Sequence, residues 1–218
     1  SLLEIVDDAG RSKRLIGPVK RKDHFFYEQV SRASQLDLNF SYCVYGPKAF
    51  LFPPHETLFA FKCAEGSFDT ESILNDEPTI LVGVHPCDLN AIRLLDHAFT
   101  ETFCDKHYLA RRASTFIIGV DCPRPCAEGV FCRDMKGNEA AGGFDIMCYP
   151  LAGPRGGDDL RYGVVFGTPT GREFILYSQA GERPTVEDER AFERYQVEKR
   201  QAFPKMIPYD VDTLPELL

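Results

Sequence analysis

Thr79-Ile80-Leu81-Val82-Gly83-Val84, followed by His85-Pro86-Cys87-Asp88, is the stretch on which the fold turns. Six apolar or small residues in a row, opened after Pro78, have strand length but no alternation, so both faces are expected to be buried. Such strands belong to parallel sheets covered by helices. From Asp88 to Phe99 the period changes, and Leu89, Ile92, Leu95 and Phe99 fall on one helical stripe, with Asp88 as the expected N-cap. The same grammar returns at once. Lys106 to Arg112 reads as a helix, and Thr115-Phe116-Ile117-Ile118-Gly119-Val120 as a second buried strand ending in Asp121-Cys122. Strand, helix and strand in this order imply a parallel crossover. The expected class is α/β, with a mixed, largely parallel central sheet, flanking helices and a cysteine-rich loop at the strands' carboxyl edge.

Working outward, residues 1–20 are charged and contain Gly17-Pro18, and read as an irregular lead-in. A single domain is expected over 21–204, with 205–218 as a proline-marked tail. Phe26, Val30 and Ala33 suggest an amphipathic helix over Asp23 to Ala33. Ala49 to Phe52 reads as a short strand stopped by Pro53-Pro54, and Thr57 to Lys62 as its partner. Gly153 to Gly157 reads as a turn. Tyr162 to Phe166 and Glu173 to Tyr177 look like a strand pair, and Glu187 to Gln201 like a charged helix.

The composition excludes several functions. Across 218 residues, Lys+Arg 25 against Asp+Glu 33 gives a net charge of -8, which argues against nucleic acid or an anionic membrane as the main partner. No apolar run approaches a membrane span and no leader peptide is visible, so a cytoplasmic protein without membrane insertion is expected. Hydrolytic motifs are missing: the chain has no Ser/His/Asp order, paired-carboxylate motif or HExxH, and an intrinsic catalytic site is not expected.

Eight cysteines form the informative set. Cys87 follows one buried strand and Cys122 the next, and Cys126 and Cys132 continue the second loop at spacings of x3 and x5. Ligands in open α/β sheets collect beyond the carboxyl ends of the strands. Four thiolates meeting there would repel one another unless a cation held them, and a cysteine-bound iron–sulfur cluster is the natural occupant. Structural zinc is the alternative, although the paired Cys-x-x-Cys knuckles it favours are missing. Cys43, Cys63, Cys104 and Cys148 read as ordinary thiols. His85 is a lesser candidate for ligand or proton carrier. Arg111 and Arg112 either counter the charge of a cluster or flavin phosphate, or form a solvated basic pair at a helix end. Tyr42, Tyr45, Phe50 and Phe52 either stack on a flavin or pack in the core.

These residues also carry a resemblance. At Gly83 to Leu89, Arg111-Arg112, Gly119 to Cys122, Pro125-Cys126 and Phe131-Cys132, the chain resembles the iron–sulfur beta subunit of sulfhydrogenases and the A subunit of anaerobic sulfite reductases. Tyr45 to Lys48, Phe50 to Pro54, Gly143 to Asp145 and Leu214 to Leu218 support it. A more distant similarity, through Pro86-Cys87 and Phe131-Cys132, is to the flavin-containing beta subunit of F420-reducing hydrogenases. The resemblance implies an electron-transfer subunit of a hydrogenase or sulfur- or sulfite-reducing complex. It implies one [4Fe-4S] cluster on Cys87, Cys122, Cys126 and Cys132, with FAD as the flavin alternative. Partners would be the other subunits and a ferredoxin-type module. The chain departs from the family in two ways. It contains no ferredoxin cysteine run, so it looks like the first domain alone, and His85 stands where family members tend to have Arg.

Overall fold

The computed structural model describes residues 2–64, 67–101, 103–152, 160–178 and 181–208. Its centre is a six-stranded mixed sheet. In chain order the strands are β1 (Arg14–Arg21), β2 (His24–Val30), β5 (Thr79–Val84), β6 (Thr115–Val120), β7 (Ile146–Ala152) and β8 (Leu160–Phe166). They lie side by side in the order β2-β1-β5-β6-β7-β8. The four inner strands run parallel and the two edge pairs antiparallel, as expected from the continuous apolar runs. Every residue of β5 and β6 is buried. A separate hairpin, β3 (Phe59–Ala64) and β4 (Ser67–Ser72), stands outside this sheet.

Helices cover both faces, which gives two cores. One buries Val6 of α1 (Leu2–Gly10), Ile80, Val82, Ile118, Val120 and Ile175 of α4 (Pro169–Ser178). The other buries Leu81, Val84 and Ile117 against Leu89 and Ile92 of α2 (Pro86–Thr100) and Tyr108 of α3 (Lys106–Ser114). Side chains alternate along β5 until Gly83, where a bulge against β6 and a φ of +80° reset the register. A methyl group at Gly83 would lie 3.0 Å from Pro18 Cδ, so strand and neighbour fit only around glycine. Helix starts follow local chemistry. Pro86 occupies the first turn of α2, and Asp105 caps α3 by accepting from His107 N and Tyr108 N at 2.9 and 3.1 Å. Thr185 and Asp188 form a capping box on α5 (Val186–Ala202), which has acids in its first turn and Lys199-Arg200 in its last.

Several expectations are corrected. The stretch read as an irregular lead-in contains α1 and β1, so the sheet begins before residue 21. The helix expected from Asp23 is β2: Lys22, in the left-handed region, turns the chain so that aromatic-rich residues 24–30 pair with β1. Ala49 to Phe52 is no strand, because Pro47 opens a 3-10 turn through Phe50, and β3 pairs with β4 instead. Glu173 to Tyr177 lies in α4. Thr168 Oγ1 accepts from Gly171 N at 3.1 Å and Pro169 begins the helix, so β8 pairs with β7. His85, not Asp88, is the N-cap of α2. The expected turn at Gly153–Gly157 and the tail beyond residue 208 lie outside the described residues.

Candidate metal centre

β5 and β6 are hydrogen-bonded neighbours, with Val84 opposite Gly119 at their carboxyl ends. Cys87 is the third residue beyond Val84 and Cys122 the third beyond Gly119, so both cysteines leave the sheet at the same edge. Gly119 lets side chains of β7 and α2 close over this edge: a methyl group there would meet Met147 Sδ at 2.5 Å and Leu89 Cδ1 at 3.0 Å. Cys87 occupies the first turn of α2, where backbone N–H groups favour negative charge.

The loop returns to this point. After Cys132 the chain turns, with Gly137 N donating to Cys132 O at 2.7 Å. A methyl group at Gly137 would lie 3.9 Å from Cys87 Cβ, so the turn packs against the start of α2. Asn90, one turn along α2, donates its side-chain amide to Glu139 O at 2.9 Å and Lys136 O at 3.3 Å. The thiols sense one another. Burial pushes Cys87 up to about 12, and Asp88, Cys132 and Cys126 add to it. Cys122 is raised by burial and then by the charges of Cys87 and Asp121, and Cys132 by burial and Cys126. Cys126 is exposed. Among the described residues, no three or more His, Cys, Asp or Glu side chains are gathered at metal-ligating geometry.

Beneath the cysteines lies a feature the sequence reading missed. Lys199 Nζ lies 2.6 Å from both carboxylate oxygens of Asp121, with side-chain exposures of 4% and 2%, and donates to Asn138 O at 2.7 Å. Tyr195 adds its hydroxyl to Asp121 Oδ2 at 2.7 Å, and Asp121 N donates to Cys148 O at 2.9 Å. Burial pushes the Asp121 carboxyl up, while Lys199, Tyr195 and the Cys122 N–H pull it back. This knot joins the end of β6, the last turns of α5 and the 132–139 loop. Asp134 ties a second strand of chain down by accepting from Met206 N and Ile207 N at 3.0 and 3.1 Å.

The remaining candidates are scattered. His85 is buried, stacks on Phe40 with ring centroids 4.1 Å apart, and is pushed by burial down to about 4. Arg111 is buried, donating to Leu51 O at 2.8 Å and gripping Glu56. Arg112 pairs with Asp96 at 3.0 Å and donates to Gly143 O. Both precede β6, so its six residues, roughly 20 Å of strand, separate them from Cys122. Tyr42, Tyr45 and Phe52 are exposed rather than core, and Cys148 is fully buried in β7. Cys43, read as an ordinary thiol, shares this neighbourhood: the charges of Cys43, Asp88, Cys87 and Cys122 all act on the buried Tyr27 hydroxyl.

No family model matches the chain. The chain is 29% identical over 195 residues to sulfhydrogenase 2 subunit beta of Pyrococcus furiosus, a match covering 89% of this chain and 54% of that protein. It therefore spans about half the length of that relative. The likeness supports the sulfhydrogenase beta-subunit family, in agreement with the resemblance carried by the cysteine segments. Among the described residues, no helix is long and apolar enough to cross a membrane.

Proposed function

We propose that this relative of the sulfhydrogenase beta subunits is an electron-transfer domain of a hydrogenase or sulfur-reducing complex. Cys87, Cys122, Cys126 and Cys132 would hold one [4Fe-4S] cluster, and the other subunits and a ferredoxin-type module would be its partners. One observation carries the reading: Cys87 and Cys122 each lie three residues beyond a directly paired position of neighbouring parallel strands, with the Cys132 turn packed against Cys87. The donor set suits such a cluster, which takes four cysteine thiolates, and the two paired knuckles typical of structural zinc are missing. When bound, the cluster would supply a one-electron site. The chain's own residues would supply sulfur ligands, the amide dipole at the start of α2, and a loop fixed by Asn90 and by the Lys199–Asp121 pair.

The test is anaerobic purification followed by iron and acid-labile sulfide assays and EPR after dithionite reduction. Near four iron and four sulfide per chain are expected, and Cys126→Ser should lose both. Stoichiometric zinc without sulfide would overturn the assignment.

A further inference from the structure

The β3–β4 hairpin stands apart from the six-stranded sheet, and every residue of both its strands is exposed. Its antiparallel register sorts the side chains onto two unlike faces, because residues directly opposite each other share a face. One face presents the pairs Phe59–Ser72, Phe61–Thr70 and Cys63–Phe68; the other presents Ala60–Glu71, Lys62–Asp69 and Ala64–Ser67. The first face carries no charge, and the second carries all three charged side chains of the two strands. On the first, the Phe61 ring lies 6.5 Å from Phe59 and 5.9 Å from Phe68 between centroids, so three aromatic rings form one patch. Such sorting is the pattern of a sheet with one buried face, and a two-stranded hairpin is marginal in water by itself. Yet Phe59, Phe61 and Phe68 stand open at 56%, 61% and 67%. The aromatic face lacks its cover.

We propose that this face binds the same face of a second copy of the chain, giving a two-fold symmetric dimer in which the two aromatic patches interleave. Two observations select a second copy. The first is charge: a chain of net charge -8 repels its own kind, whereas this face brings no like charges together. The second is area. At about 200 Å² per phenylalanine the three rings leave about 370 Å² open, so a symmetric pair removes about 740 Å² of aromatic surface from water. With Cys63, Thr70 and Ser72 of each copy, the buried surface approaches about 1,200 Å², where specific interfaces begin. That is the size of a small, reversible dimer with micromolar dissociation. The hairpin is rooted at the amino edge of the parallel strands, where Thr57, Ile73 and Asn75 line one cleft with Arg14, the first residue of β1. Cys87 and Cys122 leave the opposite edge, so the dimer does not rest on the electron-transfer reading.

The experiment is sedimentation velocity of the whole chain, anaerobic and reduced, from about 1 to about 200 µM. A monomer–dimer equilibrium is expected. It should not weaken as NaCl rises from about 50 to about 500 mM, because salt screens the repulsion between acidic copies. Phe61→Lys puts two like charges into the interface and should raise the dissociation constant at least about ten-fold. Phe68→Ser, on the other strand, should weaken the dimer too, and circular dichroism checks that both variants fold. Lys62→Gln, on the opposite face of β3, should leave it unchanged. Iodoacetamide labelling read by peptide mass spectrometry adds a local signal. Cys63 lies in the aromatic face, whereas Cys104, also exposed, lies between α2 and α3. Labelling of Cys63 relative to Cys104 should fall about five-fold across the concentration range, and should not fall in Phe61→Lys. A chain that stays monomeric at about 200 µM overturns the proposal and leaves this face to a different protein. So does a dimer that Phe61→Lys and Phe68→Ser leave intact, or one in which Cys63 stays as reactive as in the monomer. Species that keep growing beyond a dimer overturn it as well, since they mark open-ended pairing of strand edges rather than a closed two-fold contact.

Discussion

Lys199→Met tests whether the buried knot beneath the cysteines holds this edge of the sheet together. The substitution keeps length and packing but removes the amine that lies 2.6 Å from both Asp121 oxygens and 2.7 Å from Asn138 O. Asp121 is then a carboxylate buried to 2% exposure with no cation, and the Asn138 carbonyl loses its donor. Breaking a buried pair from one side costs about 3–5 kcal/mol, because the remaining charge stays desolvated. Tyr195 and the Cys122 N–H still donate to Asp121, so the lower part of that range, about 3 kcal/mol, is expected. For a domain of this size that corresponds to a fall of about 6–12 °C in Tm. Urea unfolding followed by circular dichroism measures it. Lys199→Met/Asp121→Leu removes both charges and should lie closer to wild type than Lys199→Met does, a strongly non-additive cycle. A single-variant loss below about 0.5 kcal/mol, or an additive double variant, would refute the reasoning.

Asp134→Asn should free Met206 and Ile207, seen as faster amide hydrogen exchange at those two positions while β5 and β6 stay protected. In the wild type the Met206 and Ile207 amides hold the Asp134 carboxyl below its ordinary range. The tether should therefore be complete above about pH 4 and be lost as pH falls through the lowered value; protection unchanged by further acidification would count against it. Gly83→Ala should destabilise by about 1–3 kcal/mol in chemical unfolding, because φ is +80° and the new methyl meets Pro18; a neutral result would mean the bulge relaxes freely.

The central strands were legible because burial on both faces leaves an unbroken apolar run that no surface element would tolerate. β5, α2, α3, β6 and α5 all lie where period and punctuation predict. The edges were harder to read. Phe26, Val30 and Ala33 have helical spacing, yet residues 24–30 become β2 because the tight turn at Lys22 delivers them to an open sheet edge, a partner that local pattern does not reveal. Thr168-Pro169 was a readable helix start, outweighed by the apolar character of residues 174–177. At the site, the strand ends bring Cys87 and Cys122 to one edge from sequence alone. Lys199 could not be linked to Asp121, because 78 positions separate two residues that meet only through the packing of α5.

Nearness in sequence misleads most at Arg111 and Arg112, eleven and ten residues from Cys122 along the chain and a full strand away in space. Their charges are met where they stand, by Glu56 and Asp96. His85 brings no charge either, since its burial against Phe40 keeps the ring neutral near pH 7. Lys199 does act on Cys122, but its own charge is matched by Asp121. Positive potential for an anionic thiolate centre would then come from the amides at the start of α2. The amides are fixed by the fold.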